Sequence, residues 1–266
     1  MSERLMPWLQ RSLAKHRWAM WLARKARNQA DILTSFHLSS GPDIGSNGEA
    51  LLISALSKGL TVFVDVGGNA GDWAAAVVEH CGPSIRGLIF EPGRIAEQLR
   101  ERFPAARFPS IGIHEIALSD AEGILPLFDG GASVYNSLVS NGGNSRMVKV
   151  ARLDAMLEMA KIDHVDLLKI DVEGFDAKAL RGASLYLDRG AIAVIQFEYG
   201  REWIGANENL WSAIQFLRSR GYSVYSLNAM GLHGFTYDAF GEFYCFTNFV
   251  AVHRTALDRV TRLIVE

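Results

Sequence analysis

Carboxylates standing at the ends of apolar runs are the residues of this 266-residue chain best suited to chemistry. Asp65 ends the run at 61–65 (TVFVD) and is followed by Gly67, Gly68 and Gly71; Glu91 follows 86–90 (RGLIF). Asp171 and Glu173 close 166–174 (DLLKIDVEG), and Glu198 follows 191–197 (AIAVIQF). Short apolar runs of this kind read as buried strands, and open α/β sheets bind ligands beyond the carboxyl ends of their strands. Acidic side chains at such an edge are poorly solvated unless they meet partners, so a cationic ligand, a metal ion or a substrate hydroxyl is expected there. The plainer alternatives are helix caps for Asp171 and Glu173 and a solvated loop carboxylate for Glu91.

The glycines after Asp65 let the backbone turn tightly and present N–H groups and a helix N-terminus to a ligand. No lysine follows them, which argues against a phosphate-binding P-loop. Asn69 and Asp72 occupy the second and third glycine positions of the dinucleotide fingerprint, so that pattern is broken. What remains suits a ligand with a positive end and a ribose, and S-adenosylmethionine fits. Glu91, about twenty residues beyond the turn, is placed to accept from the ribose hydroxyls. Asp120, after 111–118, would lie over the base, or in a surface turn.

These residues require strands to position them. Strands are expected at 61–65, 86–90, 111–118, 123–128, 167–170, 191–197, 222–227 and 245–252, with a short edge strand at 147–151. Helices are expected at 49–58, capped by Asn47, and at 72–80, 95–102, 153–160, 175–187 and 210–217. Such alternation implies a doubly wound α/β fold with parallel pairing. The polar loop 129–146 reads as a substrate-facing lid. One catalytic domain, 41–266, then follows a helical extension, 1–40.

The net charge of −2 offers nucleic acid nothing. Cys81 and Cys245 lack metal-ligand spacing and read as free buried thiols in a reducing, cytoplasmic compartment. Five of the histidines, His37, His80, His114, His164 and His253, show no metal spacing either. No apolar run is long enough to span a membrane, and the charged N-terminus is not a secretory signal. Residues 1–30 carry seven basic side chains against Glu3, a charge of +6, interleaved with Trp8, Trp18 and Trp21. This basic amphipathic segment suits peripheral contact with an anionic membrane, or packing on the catalytic domain or on a second subunit of a homo-oligomer.

Taken together, VDVGGNAGDW (64–73), FEP (90–92), ALSD (117–120), LLKIDVEG (167–174) with LRGA (180–183), and FE (197–198) resemble the FkbM family of S-adenosylmethionine-dependent methyltransferases. Gly68 replaces the family's usual alanine, and the resemblance covers about residues 60–200 of the chain. It implies a seven-stranded class I methyltransferase fold with its last strand antiparallel, and methyl transfer to a hydroxyl of a small molecule such as a sugar, glycan or secondary metabolite. Asp65, Gly67 and Asn69 would surround the methionine part of the cofactor, Glu91 would hold the ribose, and Ser119 or Asp120 would lie near adenine. Asp171 and Glu173 would face the methyl group and substrate. Asp171, Glu173 and Glu198 are the candidates for a general base, with His233 as an outsider, and a divalent ion held by the carboxylates is the alternative. Tyr199, Trp203, Trp211, Phe235, Tyr237 and Phe240 would either stack on a sugar or pack. Two rival functions remain: an NAD(P)-dependent oxidoreductase, against which the broken fingerprint speaks, and a non-catalytic membrane-surface scaffold with a degenerate cofactor site.

Overall fold

The structure is a computed structural model that describes residues 2–38, 41, 43–128, 137–139 and 144–265. The chain divides into two compact units, 1–38 and 39–266. The first comprises helices α1 (Ser2–Leu13) and α2 (Arg17–Leu38). The second begins with α3 (Glu49–Leu56), β1 (Val62–Val66), α4 (Asp72–Cys81), β2 (Arg86–Phe90), α5 (Ile95–Arg102), β3 (Ile111–His114) and β4 (Ala117–Leu118). It continues through β5 (Gly123–Phe128), β6 (Ser145–Ala151), α6 (Leu153–Met159), β7 (Val165–Ile170), α7 (Asp176–Gly182), α8 (Ser184–Asp188) and β8 (Ile192–Tyr199). It closes with α9 (Glu202–Gly205), α10 (Leu210–Arg218), β9 (Tyr222–Asn228), β10 (Gly231–Gly234), α11 (Tyr237–Phe240), β11 (Thr247–His253), α12 (Leu257–Val260) and β12 (Ile264–Val265).

Among the described residues, nine strands form the main sheet in the order β12-β10-β9-β11-β8-β7-β1-β2-β3. β3, β2, β1, β7 and β8 run parallel, and β11 runs antiparallel to both β8 and β9. The expected antiparallel strand is therefore present, but the sheet holds two strands more than seven. The additions, β10 and β12, are short and carry no alternating pattern by which a sequence would announce them. β7 and β11 are buried along their whole length, as befits sheet strands covered on both faces.

Three expectations are corrected. The run 111–118 is two strands, because Ile116 N–H turns back to the His114 carbonyl (3.0 Å) and β4 leaves the main sheet. β4 pairs instead with β6, which is the centre of a second sheet, β4-β6-β5, and not an edge. The helix expected at 175–187 breaks at Ala183. Asp154 accepts the Leu185 and Tyr186 N–H groups at 3.2 Å each, and a Cβ on Gly182 would sit 2.2 Å from the Ser119 carbonyl oxygen. That carboxylate starts a new helix where the old one is pressed against β4. Asn47 does accept the Glu49 N–H at the start of α3 (2.9 Å).

The lid expected at 129–146 lies mostly outside the described residues; Ser137, Leu138 and Val139 are described, and its last two residues already belong to β6. Tyr199, Trp203 and Phe235 are 0%, 1% and 4% exposed and pack with Phe197, Phe243 and Phe249, so they are core rather than a sugar platform. Both cysteines are free and half-buried.

Candidate active site

Register places the site. Ile89, Asp65, Lys169, Gln196 and Val250 are direct partners across β2, β1, β7, β8 and β11, so their side chains form one row on one face. Two residues further along each chain, at the carboxyl ends of the parallel strands, come Glu91, Gly67, Asp171 and Glu198. That alternation carries the acidic side chains to the same side as the helices α3 and α4, which cover this face with Leu52, Ile53, Trp73 and Val77.

A cleft opens at this edge, about 660 Å³ including its open mouth. Gly67, Asn69, Glu91, Asp171 and Glu173 line it, five of the residues singled out by sequence. Leu138, from the expected lid, lines it too, and the neighbouring Ser137 hydroxyl donates to the Glu173 carbonyl at 2.6 Å.

The backbone here is unusually constrained. Gly67 has φ 84°, and a Cβ on it would lie 1.8 Å from the Asp171 carbonyl oxygen, so β1 and β7 approach as only glycine permits. Its N–H and that of Gly68 both donate to the Phe90 carbonyl, at 2.8 and 3.1 Å. Asn69 (φ 43°) and Glu173 (φ 51°) hold left-handed conformations rare for residues other than glycine, and both line the cleft. Asp176 shapes the second of these turns by accepting the Gly174 N–H (3.1 Å) and the Val172 N–H (3.4 Å).

Glu91 is 6% exposed, and each of its oxygens accepts one backbone N–H, from Asn69 at 3.0 Å and from Gly93 at 3.2 Å. Burial raises its pKa while those two hydrogen bonds and the Arg146 charge work against the rise. Asp65 is wholly buried, and neither carboxylate oxygen has a hydrogen-bond partner among the described residues. Burial pushes its pKa up to about 7, opposed by Lys169 and reinforced by Asp171, Glu49 and Glu91.

Lys169, which sequence reasoning passed over, is a buried cation at the site. Its ammonium lies 2.9 Å from Asp171 Oδ2, and the charges of Asp171, Glu49 and Asp65 hold its pKa above the usual lysine range despite burial. Glu49, also overlooked, is buried and accepts from Asn47 Nδ2 (2.9 Å) and from Gln196 Nε2. A lysine inside an otherwise apolar strand was a usable signal; Glu49 and Asp176, ordinary first-turn helix residues, offered none.

Glu173 is raised to about 7 by burial and by the charges of Asp171 and Glu202. Glu198 does not line the cleft, and burial with Asp171, Asp176 and Glu173 nearby drives its pKa well above the carboxylate range. Ser119 and Asp120 do not line the cleft either: Asp120 Oδ2 pairs with Arg181 at 3.2 Å, and Ile116, Ala117 and Leu118 form the wall there. His233, on the far strand β10, has Nε2 2.9 Å from Asn228 Oδ1. Among the described residues no group of three or more His, Cys, Asp or Glu side chains is arranged to hold a metal ion.

The donor set fits S-adenosyl-L-methionine. Asp65 is wholly buried and does not itself line the cleft, which its neighbours Val66 and Gly67 do, but its orphaned carboxylate oxygens suit an ammonium group; Glu91 keeps acceptor capacity for two ribose hydroxyls, and Phe90, Ile95, Ile116 and Leu118 provide an apolar wall for a purine.

Solved structures with a loosely similar fold include a precorrin-6y C5,15-methyltransferase from Geobacter metallireducens, 13% identical over 76% of this chain and 85% of that one, with a TM-score of 0.42. Another is an O-methyltransferase from Bacillus cereus in complex with SAH, 12% identical over 86% and 90%, TM-score 0.43. A third is Aeropyrum pernix fibrillarin with natively bound S-adenosyl-L-methionine, 17% identical over 76% and 74%, TM-score 0.41. Scores this low carry no argument about activity. No curated protein matches the chain in sequence. The profile of the Methyltransferase FkbM domain, by contrast, matches residues 65–224, more than half of the chain, and spans the glycine turn, Glu91, Lys169, Asp171, Glu173 and Glu198. The chain belongs to the FkbM family and is an S-adenosyl-L-methionine-dependent methyltransferase.

Proposed function

We propose that this methyltransferase acts on a hydroxyl oxygen of a sugar, glycan or secondary metabolite, with Glu173 as general base. The observation that carries the reading is Glu173 itself, a cleft-lining carboxylate whose pKa is raised to about 7 beside an Asp171 already paired with Lys169. A base is most effective when its pKa lies near the working pH. Glu198, driven well above the carboxylate range, suits hydrogen-bond donation better than proton abstraction.

When bound, S-adenosyl-L-methionine supplies a methyl group on a cationic sulfur. Asp65, Gly67 and Asn69 would hold its amino-acid end, and Glu91 would hold the ribose. The acidic surroundings would favour the cationic donor over its neutral thioether product. Asp171, fixed by Lys169, orients the acceptor hydroxyl toward Glu173, which takes its proton. Leu138 and the apolar wall limit water in the cleft.

The test is Glu173→Gln, assayed with a panel of hydroxylated acceptors for transfer of a labelled methyl group. Turnover should fall by about 10²–10⁴-fold while affinity for S-adenosylhomocysteine is retained. Wild-type turnover should rise with pH through about 7, the value to which Glu173 is raised. Full turnover in the variant sinks the assignment, and methylation confined to nitrogen or carbon acceptors sinks the reaction class.

A further inference from the structure

The first unit carries a surface that the methyl-transfer reading does not use. In α2, Trp18, Trp21 and Leu22 are 58%, 56% and 49% exposed, and Ile32 and Leu33 are exposed one helical stretch further on. At about 3.6 residues per turn these five side chains fall within roughly a 120° arc of the helix. Arg17 and Arg24 lie on its flank, whereas Lys25 and Gln29 fall within the arc, the Lys25 ammonium 4.2 Å from the centre of the Trp21 ring. Leu9 and Leu13 are exposed on α1 as well.

Charge narrows the choice of occupant. Residues 1–30 sum to +6 whereas the whole chain sums to −2, which leaves −8 on the remainder. A second copy of the same face would bring two such basic segments together. Protein interfaces are depleted in lysine at their centres, whereas helices lying in a membrane interface combine Trp and Leu on one side with Lys and Arg beside them. Neither helix is long and apolar enough to cross a bilayer.

We propose that α2, assisted by α1, docks this enzyme on an anionic lipid surface, with Trp18, Trp21, Leu22, Ile32 and Leu33 entering the headgroup boundary and the arginines and Lys25 meeting lipid charge. The helix lies in the plane of the interface and does not span it. Binding is reversible and weakens with salt, because part of the attraction is between solvent-exposed charges.

The experiment is sedimentation of the full chain with vesicles of phosphatidylcholine alone, and of phosphatidylcholine and phosphatidylglycerol in equal amounts. Tryptophan quenching by brominated lipid provides a second readout. Binding is expected to the anionic vesicles only, to fall with added salt, and to weaken at least about tenfold in both W18A/W21A and R17E/R24E. Unchanged circular dichroism and thermal melting in the variants would show that they remain folded, and the salt titration tests the proposal on the unaltered protein. Failure of the wild type to sediment, or equal binding to neutral vesicles, overturns the proposal. So does wild-type binding in both variants, or a dimer in light scattering that W18A/W21A abolishes, which would assign the face to a second copy.

Discussion

The Lys169 ammonium lies 2.9 Å from the Asp171 carboxylate, at the point where β7 ends and the cleft begins. With Asp65 and Glu49 also acting on it, this one buried cation balances three acidic side chains. Lys169→Met should leave them uncompensated and destabilise the fold by about 3–5 kcal/mol, measured by denaturant unfolding. Adding Asp171→Asn to Lys169→Met should recover part of that loss. Additive effects of the two substitutions would show that the pair is not coupled.

With Asp65 proposed to hold the amino group of the cofactor, affinity should depend on pH. The Asp65 carboxyl is raised from 3.8 to about 7 in the folded protein, so its contribution to stability is fully present below pH 3.8 and is lost as pH rises through about 7. A cationic amino group binds the ionised form, so affinity for S-adenosylhomocysteine should increase as pH rises through the same range. Calorimetric titration at several pH values should show this trend in the wild type and a flat, weaker profile in Asp65→Asn. Identical profiles would separate Asp65 from the ligand.

Gly67 and Gly82 have nearly the same left-handed φ, 84° and 88°, in different surroundings. A methyl group on Gly67 meets the Asp171 carbonyl oxygen, whereas one on Gly82 meets nothing within 4 Å. Gly82, at φ 88° and ψ 166°, holds a conformation almost confined to glycine, so Gly82→Ala should cost the conformational strain alone, about 1–3 kcal/mol, and Gly67→Ala more than about 3 kcal/mol. Thermal melts of the two variants compare them directly, and equal shifts would mean that the strands separate easily at the site.

Glu91 lines the cleft while Asp120 is turned to Arg181. Loss of two hydrogen bonds to a charged acceptor in Glu91→Ala should weaken S-adenosylhomocysteine binding by at least about tenfold. Asp120→Ala should change it by less than about threefold, since only a partly exposed ion pair is lost. The reverse ranking, read by calorimetry, would move the adenosine end of the ligand toward Asp120.

The strands that bear the site were legible because a buried parallel strand must be continuously apolar, and a carboxylate that interrupts one is conspicuous. Glu91, Asp171 and Glu173, which line the cleft, were singled out in this way, as were the buried Asp65 and the glycines of the turn. Lys169 was visible in the sequence but has meaning only once register sets it beside Asp65 and Gln196. The departure of β4 from the main sheet was not legible, since a hydrogen bond from Ile116 back to His114 leaves no mark in the composition of 111–118.

By itself the sequence determined the family, the glycine turn and the set of carboxylates, because each depends on residue type and local spacing along one strand or turn. Only the tertiary structure decided which of those carboxylates share a cleft, which are paired with a cation, and which have their pKa raised toward neutrality. Those properties arise from burial and from charges brought in by other elements, as when Glu49 and Asp65 act on Lys169 and Glu202 acts on Glu173. No single stretch of the chain contains that information.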